Sequence, residues 1–270
     1  MAELRLDNTT LHYEVDDFTD PWLKPEYVLL HHGCGKHGGF WYRWVPILAR
    51  KYRVIRIDAR GFGKSSDPGP DFKWSIETFA NDVIKLIDHL EVQQLYFIGE
   101  HMGAWAGIQF ALDYPERIKK LVFSSFAHYW TTTDTMVGPI DNVGVQSWQL
   151  SDEPYRFGGD SVYAEWFAEE MAKSRTHVLR SVIQAAGSVD FRNRLSEIKC
   201  PTLVLNGELF LQKNDPNRNS IEQIRQNLPS GSEVVEIKGG PMFTIYTKAE
   251  MCADLCIKFF EKNTEANQVK

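Results

Sequence analysis

Short apolar runs alternate with helically patterned stretches along most of this chain, and that alternation restricts the available folds more than any single residue does. The runs at 27–30, 52–57, 95–99, 118–123, 202–205 and 233–237 are short and mostly rich in β-branched, aliphatic and aromatic residues, as strands buried on both faces must be. Between them lie 40–51, 76–90, 102–114, 221–228 and 248–260; in the second of these, Phe79, Val83, Ile84 and Ile87 recur at helical spacing, and Pro115 stops the third. Parallel strands require such crossovers, so the pattern predicts an α/β fold: a doubly wound, mostly parallel sheet covered by helices on both faces. Residues 4–15 read as an antiparallel start.

Between about residues 127 and 198 the alternation stops. The stretch is loop-rich and then helical, with Trp130, Trp148, Trp166 and Phe167 among its apolar residues. Ligands of open α/β sheets bind outside the carboxyl ends of the strands, so an insertion at this point is expected to roof a pocket. The expected division is a core of residues 1–126 and 199–270 with a helical cap at 127–198. The polar residues 263–270 are expected to fray.

Composition excludes several classes of partner. With 43% hydrophobic and 24% charged residues over 270 positions, the chain can bury a large core. Its net charge of −6 leaves no basic stripe for nucleic acid. No run approaches the ~18 apolar residues of a membrane span, and the opening Met1-Ala2-Glu3-Leu4-Arg5 is not the apolar stretch of a secretory signal. A soluble, cytoplasmic protein is expected. The cysteines at 34, 200, 252 and 256 have neither the density of a disulfide framework nor metal-ligand spacing.

Three motifs stand at predicted strand ends, and a fourth spans a later predicted strand. They are His31-His32-Gly33-Cys34-Gly35, Asp58-Ala59-Arg60-Gly61-Phe62-Gly63-Lys64-Ser65, Gly99-Glu100-His101-Met102-Gly103 and Cys200-Pro201-Thr202-Leu203-Val204-Leu205-Asn206-Gly207. In this order they resemble the α/β-hydrolase superfamily, nearest its enol-lactonase and small-ester-hydrolase branches, and the resemblance covers nearly the whole chain. It implies a nucleophile elbow of the form G-x-S-x-G, an oxyanion hole of backbone amides and a Ser-His-acid triad. This sequence departs from the family at each triad position. His101 replaces the serine, and no serine lies between Ser75 and Ser124. Phe210 stands where the acid is expected, with Glu208 and Asp215 the nearest carboxylates. Met242, in Gly239-Gly240-Pro241-Met242-Phe243, takes the place of the histidine, and no histidine follows His177. A relocated acid after the sixth strand is missing too, since Ser124-Ser125-Phe126-Ala127-His128 offers none before Asp134.

What the resemblance leaves intact is the oxyanion hole, carried by the N–H groups of Met102 and Cys34. His101 tolerates the positive φ of an elbow, and the helix N-terminus beside it disfavours imidazolium, leaving a neutral ring able to act as base or hydrogen-bond donor. Cys34 next to it would form a nucleophile pair if its pKa fell. His32, Trp41, His128, Trp130, Phe210 and Met242 are expected to line the ligand site, with Phe210 and Met242 making the former acid-base corner dry. His31, His32 and His37 cluster on one loop without a standard metal-ligand spacing, so neither a metal nor any other cofactor is expected. Glu100 is expected to face away from His101 and form a structural hydrogen bond, and Asp58 and Arg60 to tie the loop after the fourth strand.

Three functions are compatible with these residues. The first is a cofactor-independent, non-hydrolytic enzyme (lyase, decarboxylase or isomerase type) acting on a small, apolar or aromatic carbonyl compound through His101 and the oxyanion hole. The second is an inactive ligand-binding protein or receptor, because fold does not fix activity. The third is an atypical ester or lactone hydrolase using Cys34 or a water activated by His101. Oligomeric state is not legible in the sequence. All three exclude an activated serine, so a fluorophosphonate probe is expected to label no serine stoichiometrically. Mass-spectrometric detection of one fully modified serine would refute the loss of serine-hydrolase chemistry.

Overall fold

Strands β1 (Ala2–Leu6) and β2 (Thr9–Asp16) form the antiparallel start, with Leu4 opposite Leu11. Six further strands follow: β3 (Tyr27–His31), β4 (Arg53–Ile57), β5 (Leu95–Glu100), β6 (Ile118–Ser124), β7 (Thr202–Gly207) and β8 (Glu233–Ile237). In the computed structural model, which describes residues 2–125, 134–214 and 219–262, they form one sheet in the order β1-β2-β4-β3-β5-β6-β7-β8. β2 meets β4 antiparallel, and every later pairing is parallel. Strands β5 and β7, each paired on both sides, are buried at every residue, which is why they read as largely apolar runs.

Helices α1 (Val45–Leu48), α2 (Ile76–His89) and α3 (Met102–Asp113) connect the first half of the sheet. Ser75 caps α2 by accepting from the Thr78 N–H. α2 packs on α3, which is buried from Met102 to Ala111. The single helix expected over 40–51 is instead a 3-10 turn, Gly38–Trp41, followed by the short α1. Pro46 is the cause: it sits at the start of α1, where a missing N–H costs nothing, and so separates the two turns. Between β6 and β7 stand α4 (Asp134–Leu150), with a break at Gly144, then α5 (Glu153–Phe157), α6 (Ser161–Ala172) and α7 (Thr176–Ala186). The chain closes with α8 (Glu208–Asn214), α9 (Asn219–Asn227), α10 (Thr244–Thr247) and α11 (Ala249–Glu261). Among the described residues no helix is long and apolar enough to cross a membrane.

Polar side chains fix the loops that the sheet leaves open. Asp58 accepts from the Gly38 N–H (2.7 Å) and the Lys64 N–H (2.8 Å), so it ties the loops after β3 and β4 together. Arg60 grips Asp82 of α2 through two bonds of 2.9 and 2.6 Å. Lys120 donates to the Phe259, Phe260 and Lys262 carbonyls, meeting the negative end of α11.

The turn from β5 into α3 is made by His101 alone, at φ 51° and ψ −111°. Two glycines permit it. A Cβ on Gly99 would lie 2.2 Å from the Gly103 carbonyl oxygen, and one on Gly103 would lie 2.3 Å from the His31 carbonyl oxygen. Because both obstacles are backbone, Gly103→Ala is expected to destabilise the fold by about 3 kcal/mol or more, read by urea unfolding. A loss of only about 0.5 kcal/mol, the size of an ordinary surface change, would show that the turn is not under this constraint.

Candidate functional site

His101 stands between strand and helix with its backbone N–H donating to the Ser124 carbonyl (3.1 Å) and its ring beside Trp105. It is 6% exposed. Burial, with the nearby charges of Lys36 and then Arg156, holds its pKa down at about 3, against an ordinary 6.5. The ring is therefore neutral at physiological pH, as the sequence reading expects. The dominant cause is desolvation, reinforced by two cations, rather than the helix terminus.

Above the elbow, Cys34, Lys36, His101 and Met242 share a cavity with Trp148 and Gln149 of α4, Arg156 of α5, Met171 of α6 and Leu179 and Ile183 of α7. Its volume is about 20 Å³, close to the space of a single water. The inserted helices thus meet the loops at the carboxyl ends of the strands directly over His101.

His32, Trp41 and Phe210 do not line this cavity. His32 is fully buried; its Nε2 accepts from the Ala59 N–H (2.8 Å), so its Nδ1 carries the proton and donates to the Gly33 carbonyl (2.8 Å). That fixes the tautomer and makes the ring a brace between two loops. Burial first, then the neighbouring His31, pushes its pKa well below the usual range. Trp41 is packed between Trp44 and Tyr246, with ring centroids 5.3 and 5.1 Å away. Phe210, in α8, is buried in the hydrophobic core and does not line the cavity. Met102 is the fully buried first residue of α3. His128 and Trp130 fall outside the described residues.

Cys34 reaches the same cavity as His101, but burial pushes its thiol up to about 12, more than the Lys36 charge offsets. The lowered pKa that a nucleophilic pair requires is not present. Glu100, next to His101, is held in a fully buried ion pair: its Oε2 lies 3.2 Å from Lys36 Nζ, with side chains 0% and 3% exposed. The Tyr246 hydroxyl donates to the same oxygen (3.4 Å). Burial pushes the Glu100 carboxyl up, and Lys36 opposes the shift.

Lys36 and Arg156 are the residues that the sequence reading missed. Lys36 follows the His-Gly loop by one residue beyond the motif, which was its only signal. Arg156 lies on a short polar helix where a charge ordinarily faces water. A second cavity of about 430 Å³ opens away from the elbow, lined by His12, Asp58, His37 and Glu170 among others. Among the described residues no group of three His, Cys, Asp or Glu side chains is placed to hold a metal ion.

A family model described as alpha/beta hydrolase fold matches residues 26–160. The chain is 28% identical over 210 residues to the protein named Putative carbamate hydrolase RutD in Rhizobium rhizogenes, covering 72% of this chain and 78% of that one. It is 26% identical over 238 residues to Karrikin insensitive 2 receptor B of Petunia hybrida, covering 82% and 86%. The crystal structure of the enol-lactonase from Burkholderia xenovorans LB400 superposes with a TM-score of 0.84 over 97% of this chain and 100% of that one. At 22% identity that likeness shows a shared fold.

The buried histidines make stability depend on pH in a defined direction. In the fold His31 is held at about 4 and His101 at about 3, against 6.5 in the unfolded chain, with burial the first cause of each. Below about pH 6.5 the unfolded chain takes up protons that the folded chain refuses. Stability is therefore full above that pH and is lost as pH falls toward 3, by up to about 1.4 kcal/mol per pH unit for each histidine. Urea midpoints measured from pH 7 down to 4 should fall accordingly, and the ¹⁵N imidazole signals of His101 should remain those of a neutral ring at pH 5. A His101 signal titrating near 6.5 would overturn the assignment.

Proposed function

We propose that this chain, which belongs to the alpha/beta hydrolase fold family, binds a small carbonyl compound beneath the inserted helices and transforms it without hydrolysis, as a lyase, decarboxylase or isomerase. The observation that carries the reading is the neutral His101 ring, set on a strained elbow in a small cavity that two cations also line. Such a site favours negative charge developing on a carbonyl oxygen. A ring whose pKa lies at about 3 is a weak base at neutral pH, so its role is to donate a hydrogen bond to the carbonyl and to the enolate formed when the α-proton passes to solvent or carbon dioxide departs. The amides of Cys34 and Met102 are the further donors in this reading, and residues 127–198 act as the cap. The apolar side chains of Met171, Leu179, Ile183 and Met242 would limit water, a competitor for such intermediates.

A receptor-like, non-catalytic reading has one observation in its favour: a cavity of about 20 Å³ admits a ligand only if side chains of the inserted helices shift. Hydrolysis through Cys34 has less support, because its thiol sits near 12. The test is deuterium uptake, in D₂O, at the carbon between the two carbonyls of simple 1,3-dicarbonyl compounds. Wild type is expected to exceed solvent background, and His101→Ala to lose about 100- to 1,000-fold, the usual effect of deleting one oxyanion donor. Binding without uptake or bond cleavage would establish the receptor reading. Ester turnover abolished by Cys34→Ala would establish the hydrolase.

A further inference from the structure

We propose that Arg156 is a carboxylate anchor, so that the carbonyl compound bound beside His101 also carries a carboxylate group. This rests on the reading of that cavity as a carbonyl site and names the class of its ligand.

The backbone of α5 fixes where Arg156 stands. The Tyr155 carbonyl accepts from the Met242 N–H (2.8 Å) and the Arg156 carbonyl from the Phe243 N–H (3.0 Å). The helix is thereby laced to the loop that takes the place of the family's histidine, and the guanidinium is delivered to the cavity that holds His101. It lies over the Trp148 ring, 4.9 Å from the centroid. Its described hydrogen bond is a long one of 3.4 Å to Gln149 Oε1, and its buried Nε has no hydrogen-bond partner.

Among the described residues, charge in the cavity is unbalanced. The ammonium of Lys36 is matched by the carboxylate of Glu100. No ion pair among the described residues matches Arg156. Asp152 acts on it from a distance but is paired with Lys213. Glu153, three residues earlier, makes no ion pair with it and keeps one oxygen buried without a hydrogen-bond partner. Burial also works against the charged guanidinium, pushing its pKa down. A largely buried guanidinium with open donors is costly unless an anion completes it, and its planar fork fits a carboxylate through two parallel bonds. One surplus positive charge calls for one negative charge. The flexible side chains of Met171 and Met242 bound the cavity and can yield to a small ligand.

The experiment compares acetoacetate with acetoacetamide, which differ in the carboxylate alone, on the full chain labelled with ¹⁵N-histidine. Binding is read from the His101 imidazole signals and turnover from deuterium uptake. Acetoacetate is expected to bind about ten- to a hundredfold more tightly than the amide, the range of a charge-assisted hydrogen-bonded contact. Arg156→Gln should remove that preference, and Arg156→Lys should retain part of it. Equal affinities in wild type, a preference that survives in Arg156→Gln, or no response of His101 to either compound would overturn the anchor. The wild-type comparison needs no variant to fold. Acid preference without deuterium uptake would keep the anchor and remove the enzyme reading; equal uptake from both compounds would keep the enzyme reading and remove the anchor.

Discussion

A strand that must become a helix within one residue sets the terms for everything around it. Gly99 and Gly103 leave no room for a side chain because each is pressed against backbone, and His101 between them holds a positive φ. That strain persists only because β5 is hydrogen-bonded on both sides and α3 is buried along nearly its whole length. The same closeness brings the loop after β3 against the elbow: a Cβ on Gly33 would meet the Glu100 carboxylate at 2.2 Å and the His101 Cβ at 3.0 Å. The geometry of a nucleophile elbow is thus kept by packing alone, whatever side chain it displays.

The Lys36–Glu100 pair is the electrostatic counterpart of that constraint. Its two charges are removed from water within the layer where the loop after β3 meets the elbow, and each would be costly to leave alone. Lys36 also lies 4.6 Å from the centroid of the Phe243 ring, so one ammonium touches β5's carboxylate, the cavity and the loop after β8. Glu100 therefore serves the fold through its pair with Lys36.

The sheet was legible because strands buried on both faces have to be apolar throughout, and the antiparallel start because residues 4–15 do not share that pattern. The break at Pro46 was overlooked, since apolar spacing ran through it, and α8 was unexpected because it begins directly at the end of β7. In the site, the turn at His101 could be read from motif order. Lys36 and Arg156 could not: a charged residue is assigned to solvent by default, and only tertiary contacts bury it. Nor does a residue list give a volume. Cys34 and Met242 do share the cavity with His101, whereas Trp41 and Phe210 became core and His32 became a brace.

These facts together explain why a histidine at this elbow behaves unlike the histidine of a triad. A proton-relaying imidazole needs a carboxylate to stabilise its charged form. Around His101 the signs are reversed: the charges that act on it are Lys36 and Arg156, and the carboxylate next to it in sequence is held in its own pair. Burial then penalises the imidazolium further. The outcome is a ring that resists protonation and is suited to offering a fixed N–H to an oxygen. A site built this way fits the proposed carbonyl chemistry, in which negative charge forms on an oxygen, better than the cycling of a proton between nucleophile and leaving group on which ester hydrolysis depends.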